Sequence, residues 1–411
     1  MEPIKTVAII GQGYVGLPLA MAAVDAEWNV IGIDSSDSRV LNLSQGKSHI
    51  DSISGNALAA ALSSKKYIVT SELKMVALAR IVIICVPTPL DSELNPDLSY
   101  VRNAINGVIP YLVSKTLIVN ESTSYPGTLR NIIAKPINED HRSQDKSFYF
   151  AVAPERVNPG DKVWNQENTP RIIAGIDEAS HKLAMDFYKT ITKVLVESDF
   201  PEEAEAAKLL ENTFRLVNIS FINEFANVCR KSNLDIDSVI KLASTKPYGY
   251  MPFQPSIGAG GHCIPVDPVY YSWWAKNIGE KTEITDSAAK HNREFPVKVA
   301  DAIFELLPVS NHNPRIMVVG IAYKKGVADF RESPVLTLIK ELESRRGTVI
   351  WHDPLISEFE GSMSSNIDSA CDFIVLAVHQ PNLDIDYLIS RGVPILDCTN
   401  SLLSGANIHK F

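Results

Sequence analysis

Cysteine is scarce in this chain: five among 411 residues, at Cys85, Cys229, Cys263, Cys371 and Cys398, with no CxxC or CxxxC pair. An odd and scattered set excludes a disulfide framework and a zinc ribbon, so the thiols read as reduced. No cluster of His, Cys, Asp and Glu stands at ligand spacing, and no metal is expected. Uninterrupted apolar stretches of ~18 residues, the length of a membrane span, are also missing. The first residues enter an apolar strand without a charged n-region or a small-residue cleavage site, which points to the cytoplasm. Basic runs are lacking as well. Lys+Arg 39 against Asp+Glu 48 leaves a net charge of -9, and nothing in that balance would track a phosphate backbone, so nucleic acid is not an expected partner.

What is present is an ordinary globular composition, 45% hydrophobic and 21% charged, over a length that calls for two or three domains. Residues 4 to 10 form an apolar run that ends at Gly11-Gln12-Gly13-Tyr14-Val15-Gly16, and Leu17 to Ala23 continue at helical composition. Strand, glycine turn, helix is the order a dinucleotide site needs. A second strand, Asn29 to Ile33, ends in Asp34, 18 residues after Gly16, where a carboxylate can accept from the adenosine ribose hydroxyls. Gly11 permits the turn, Gly13 the approach of a pyrophosphate and Gly16 close helix packing. Asp34 would repel a 2′-phosphate, so NAD is favoured over NADP, with the nearby Arg39 pulling the other way.

Further buried strands at 81–86, 117–120, 148–153 and 171–174 alternate with helical stretches. That alternation predicts a parallel doubly wound sheet with ligands at the carboxyl ends of its strands. The loops there are Pro87-Thr88-Pro89, Glu121 to Gly127 and Pro154-Glu155-Arg156. Each carries a hydroxyl or a charge; caps and turns are the ordinary use of such residues, ligand contact the alternative.

From 202 to 231 the spacing predicts a long helix in which Leu210, Phe214, Val217, Phe221, Phe225 and Val228 read as a buried stripe. At ~1.5 Å per residue it is on the order of 45 Å long and links two lobes. So much apolar surface suggests a subunit interface, with burial inside one chain the equal alternative. Lys208, Asn212 and Arg215 share another face, either solvated or lent to a polar cleft. Near Pro314 a second sheet begins and repeats the strand-then-glycine theme, with Lys324, Lys325 and Arg331 beyond its first strand. Those cations suit an anionic ligand such as phosphate, unless they are only a solvated basic loop. The fold class is therefore α/β: two Rossmann-like, doubly wound parallel-sheet domains joined by a long central helix, divided as 1–198, 199–297 and 298–411.

Between the lobes, Gly258-Ala259-Gly260-Gly261-His262-Cys263 sets one thiol in a glycine-rich turn, with Asp267 four residues on. Bare backbone lets a ligand approach closely, and a cysteine beside it is reachable as a nucleophile. A buried packing cysteine is the alternative. Next to a nicotinamide a thiolate has a specific use: it holds an aldehyde as a thiohemiacetal, which loses hydride to become a thioester, and water then releases a carboxylic acid. Lys208 is a candidate for the cation that favours the thiolate.

The segments GQGYVGLPLA, CVPTP, ESTSYPGT, APERVNPG, AAKLLENTFRLVNISFINE, GAGGHCIPVDP and YKKGVADFRESP together resemble the UDP-sugar 6-dehydrogenases, in order and over nearly the whole chain. The resemblance implies NAD-dependent four-electron oxidation of a sugar C6 hydroxymethyl to a carboxylate. It makes Cys263 the nucleophile, Lys208 and Asn212 stabilisers of the developing oxyanion, Asp267 and Thr123 a water-positioning pair, and Glu155 the acid/base of thioester hydrolysis. Expected cofactor contacts are Gly11, Gln12, Gly13, Tyr14, Val15, Asp34, Arg39, Pro87, Thr88, Thr123 and Arg331. Expected UDP-sugar contacts are Glu155, Arg156, Lys208, Asn212, Arg215, Gly260 and Lys324. A homodimer through the central helix is expected. Lys246-Pro247-Tyr248-Gly249-Tyr250 and His262 look more like the UDP-N-acetylhexosamine branch, UDP-N-acetylglucosamine first, with the manno and galacto epimers and UDP-glucose as alternatives. Ser256 stands where the family usually carries glycine, and Ala79-Arg80 where acidic residues are usual.

Overall fold

The computed structural model describes residues 5–50, 53–157, 163–308, 311–403 and 405–411. By its internal contacts the chain divides into Met1–Glu211 and Asn212–Phe411, and the division falls inside the 31-residue helix Pro201–Lys231.

In the first unit β1 (Thr6–Ile10), β2 (Asn29–Ile33), β3 (Tyr67–Thr70), β4 (Ile81–Ile84), β5 (Leu117–Asn120), β6 (Tyr149–Val152), β7 (Arg171–Gly175) and β8 (Leu195–Glu197) form one sheet ordered β3-β2-β1-β4-β5-β6-β7-β8. Every residue of β1, β4 and β5 is buried, as in parallel strands covered on both faces. On one face Val7, Ile9, Ile83 and Val119 pack with Leu17 and Leu19 of the helix Gly16–Asp25 and with Phe187 and Tyr188 of the helix Glu178–Tyr188. The first six strands are mutually parallel, in the order of dinucleotide-binding sheets. The sheet departs from the all-parallel expectation at β7, which pairs antiparallel with β6 and carries β8 with it.

The second unit is built on β9 (Arg315–Val319), β10 (Thr348–His352), β13 (Phe373–Leu376), β14 (Ile395–Asp397) and β15 (Ile408–Lys410), ordered β10-β9-β13-β14-β15 and parallel throughout; β11 (Glu358–Phe359) and β12 (Ser362–Met363) make a separate hairpin. Alternation along β9 serves two cores. Ile316 and Val318 pack with Phe295 and Val299 of the helix Glu283–Leu306 and with Leu338 of the helix Pro334–Ser344. Met317 and Val319 pack with Leu388 of the helix Ile385–Ser390. Helices thus cover both faces, as in doubly wound folds.

The helix Pro201–Lys231 forms as the spacing predicts, with Glu202 and Glu203 in its first turn and Arg230 and Lys231 in its last, matching its dipole. The stripe assigned to it corrects the expectation of burial within the chain. Leu210, Phe214, Phe221, Phe225 and Val228 are 41–71% exposed, whereas Leu209, Leu216, Ile222, Ala226 and Cys229 are buried. Periodicity identified an apolar face, but the helix buries a different one. Among the described residues no helix is long and apolar enough to cross a membrane.

Candidate active site

The turn after β1 is over-determined. Gly11 has φ +92°, and a Cβ there would run into the carbonyl oxygen of Cys85, which follows β4. Only glycine fits. Gln12 is fully buried: its backbone N–H donates to Asp34 Oδ2 at 2.8 Å, its side-chain amide donates to Ile9 O at 2.9 Å, and its Oε1 accepts from Tyr67 at 2.8 Å. Asp34, at the end of β2, also accepts from Ser36 N–H at 2.9 Å and pairs with Arg39 Nη1 at 3.0 Å. The arginine that seemed to pull against NAD is therefore held by the acid that favours it. A Cβ on Gly13 would meet nothing within 4 Å, so this backbone faces open space, as the approach of a pyrophosphate requires. Gly11 to Val15, Asp34 and Arg39 fit a dinucleotide.

Around this turn lie the loops after β4, β5 and β6. Pro87 is exposed, and Thr88 and Thr123 are half-buried. Ser122 Oγ donates to Val86 O at 2.8 Å, tying two of the loops together. The loop that carries Thr123 is also fastened to the long helix. Buried Glu205 accepts the N–H of Gly127 at 2.6 Å and of Leu129 at 2.9 Å. Burial nevertheless pushes its carboxyl up to about 8, against the lowering effect of those N–H groups. Glu155, after β6, is buried beside Arg171, with Nη2 2.9 Å from its Oε2. Burial raises the Glu155 carboxyl, but Arg171, the Val157 N–H, the Gln166 amide and Lys208 outweigh it and hold the group below its ordinary value. Arg156 pairs with Glu211 at 2.6 Å. Asn158, Pro159 and Gly160 of the same loop lie outside the described residues.

In the second unit the exposed Cys263 sits at the head of the helix Asp267–Asn277, and its carbonyl accepts the N–H of Val266 at 3.1 Å and of Asp267 at 2.8 Å. Asn212 Nδ2 donates to Asp267 Oδ2 at 2.5 Å, both side chains buried. Arg215 is exposed instead. Buried Asn292 brackets the thiol loop, accepting from Ala259 N–H at 2.7 Å and donating to Ala259 O at 3.0 Å. Asn223 accepts from Ser256 N–H at 2.9 Å, and the Ser256 hydroxyl turns back to Gly258 O at 3.3 Å. The serine that replaces glycine is thus accommodated within its own turn. A Cβ on Gly260 would lie 2.6 Å from Glu332 O and one on Gly261 2.8 Å from the Tyr323 ring. The thiol loop therefore packs directly on the segment carrying Lys324 and Arg331, where Arg331 forks onto Asp329 at 2.9 and 2.7 Å.

Asp353, at the end of β10, accepts Ile321 N–H at 2.8 Å beside Gly320, whose φ is +84°. This repeats the Asp34–Gln12–Gly11 arrangement of the other lobe. Sequence reasoning did not single out Asp353, although an acid closing the second strand was available as a signal. It also passed over Arg171, Glu205, Asn223 and Asn292, whose partners stand 16 to 78 residues away. No local pattern announces such pairs.

The β3-β2-β1-β4-β5-β6 order, the glycine turn and the acid at the end of β2 define an NAD-dependent dehydrogenase lobe, joined here to a second nucleotide-type α/β lobe. The chain belongs to the UDP-glucose/GDP-mannose dehydrogenase family: it matches the NAD binding domain over residues 5–192, the central domain over 202–294 and the UDP binding domain over 317–402. It is 34% identical to a UDP-N-acetyl-D-mannosamine dehydrogenase of Methanococcus vannielii, over 92% of this chain and 87% of that protein. It is 30% identical to a UDP-N-acetyl-D-glucosamine 6-dehydrogenase of Pseudomonas aeruginosa, over 92% and 91%. The solved structure of a UDP-D-ManNAc dehydrogenase from Pyrococcus horikoshii superposes with a TM-score of 0.88 at 30% identity, covering 98% of each chain. The enzyme is an NAD-dependent UDP-sugar dehydrogenase.

Proposed function

We propose that this enzyme oxidises the C6 hydroxymethyl of a UDP-N-acetylhexosamine to the carboxylate through a thiohemiacetal and a thioester on Cys263. The observation that carries this reading is Cys263 itself, exposed at a helix head in a glycine loop packed on the Lys324 and Arg331 segment. NAD, when bound, accepts the hydrides. Cys263 adds to the C6 aldehyde and keeps it from leaving. Lys208 stabilises oxyanion charge, as does Asn212, one helical turn away. Asp267 and Thr123 position water, and Glu155 carries the proton of hydrolysis. Lys324 takes the UDP end, and Arg331 contacts the cofactor. The central segment 199–297 acts as connector and dimerisation domain between lobes 1–198 and 298–411.

The sequence puts the gluco epimer first, while relatives at 33–34% identity and the 0.88 neighbour carry the mannosamine name, which favours the manno epimer as a second reading. The solvent-facing stripe from Leu210 to Val228 supports a homodimer formed through the long helix. A cytoplasmic location goes with the reading. The test is a panel of UDP-sugars with NAD, scored for NADH and acid. Two NADH per sugar are expected, on an N-acetylhexosamine; one NADH per sugar rules out the thioester route, and a strong preference for UDP-glucose overturns the substrate class. Cys263→Ala should form no acid.

A further inference from the structure

The reversal of β7 has a chemical consequence. In the antiparallel register Ala151 faces Gly175 and Val152 faces Ala174, and carrying that register past the end of β6 sets position 171 opposite position 155. A parallel strand would have presented its other end there. Arg171 is 3% exposed and lies between two carboxylates from successive loops. Its Nη2 is 2.9 Å from Glu155 Oε2, and its Nη1 is 2.7 Å from Glu121 Oε1, close but not aligned for a hydrogen bond. Tyr188 donates to Glu121 Oε1, and its ring lies under the guanidinium at 5.1 Å. Gln166 donates to Glu155 Oε2 at 3.1 Å and accepts from Arg171 at 2.5 Å, while Val157 N–H donates to Glu155 Oε1 at 2.5 Å. Both oxygens of Glu155 are thus held, whereas Glu121 Oε2 is buried with no hydrogen-bond partner among the described residues.

We propose that Arg171 is a positioning residue for the hydrolytic half of the reaction: braced from behind by Glu121 and Tyr188, it fixes the orientation and charge of Glu155. The inference rests on the reading of Glu155 given above. In that step a water oxygen bonds to the acyl carbon, the C–S bond breaks, one water proton passes to Glu155 and sulfur leaves as thiolate. One guanidinium between two buried carboxylates makes them compete, and environments that separate such a pair assign their roles. Burial lifts the Glu121 carboxyl above its ordinary value while Glu155 is held below it. The other titratable groups whose charges act on this cluster are Cys85, beyond β4, and Lys208, on the long helix.

The test follows intact-protein mass and NADH release during turnover of Arg171→Lys, Glu121→Gln and Glu155→Gln, with thermal melting as the folding control. Arg171→Lys keeps the charge but loses the fork. It is expected to slow acid release about tenfold or more and to accumulate an acyl adduct on Cys263, as Glu155→Gln should do more strongly. The pH profile of turnover should also move for Arg171→Lys and, in the milder form, for Glu121→Gln, which serves where the lysine variant does not fold. Wild-type levels of adduct and an unmoved pH profile in folded Arg171→Lys or Glu121→Gln overturn the inference, as does an equal loss of every step. A wild-type enzyme that yields no acid from any UDP-sugar, or a Glu155→Gln variant that accumulates no adduct, sinks the underlying reading instead.

Discussion

Asn212 and Asp267, 55 residues apart in sequence, meet through a 2.5 Å hydrogen bond in which both side chains are buried. The pair joins the long helix to the helix that follows Cys263. Hydrogen bonds to a charged group contribute about 1.5–3 kcal/mol. Asn212→Ala should therefore lower the urea midpoint by a stability loss of about 2 kcal/mol and reduce kcat. Asn212→Asp, which faces one carboxylate with another, should do worse. A variant series with unchanged midpoints would show that the pair is dispensable.

Asp34 binds Arg39 and at the same time the Gln12 and Ser36 N–H groups. Asp34→Ser should release Arg39 toward a 2′-phosphate and raise the ratio of kcat/KM for NADP over NAD at least about tenfold, a change of about 1.4 kcal/mol. The turn should loosen as well, lowering kcat/KM with NAD. Steady-state kinetics with both cofactors measures this. An unchanged ratio would mean that Arg39 does not select between them.

Glu205 sets a pH dependence of stability. Its carboxyl is raised to about 8 in the folded chain against 4.5 ordinarily. Folding therefore favours the protonated form, and stability is greatest below about pH 4.5 for this group and declines until about pH 8, by up to about 5 kcal/mol. Glu205→Gln cannot ionise, so its urea midpoint should fall less than wild type between pH 5 and pH 8. Parallel curves for the two proteins would refute this.

Phe221 and Phe225 stack edge to face at 6.2 Å while both remain exposed, 59% and 41%. The double substitution Phe221→Glu, Phe225→Glu places two charges in the stripe. It should sediment as a monomer under conditions where the native enzyme sediments as a dimer, with its melting unit intact. A native enzyme that is already monomeric at working concentration removes the dimer proposal.

Much of this fold is legible in the sequence. The glycine turn, the acid closing β2 and the extent of the 31-residue helix are all local patterns, each written in one continuous stretch of chain, and the structure puts them where spacing says. What escaped was long-range or directional. A period of three to four marks Phe214 and Phe221 as one face but does not say whether protein or solvent lies opposite. A short apolar run such as 172–174 reads the same in either direction, so the antiparallel β7, and with it the meeting of Arg171 and Glu155, was not legible. Buried Asn292 and Glu205 look like ordinary helix-surface residues until the backbone groups they satisfy are known.

The division between the two units falls at Glu211, within an unbroken helix. Isolated helices shorter than about 12–15 residues are marginal in water, and a fragment ending at that boundary would keep only the segment from Pro201 to Glu211. Such a fragment retains Glu205 and its bonds to the Gly127 and Leu129 N–H groups, so it is the packing around Glu205, not helix propensity, that must hold the shortened helix in place. Carrying the cut on to Lys231 is no remedy, because Leu216 packs with Ala259 and Ala289, and Ile222, Ala226 and Cys229 with Ile236 and Ile240, all in the second unit, so that apolar face would be bared to water.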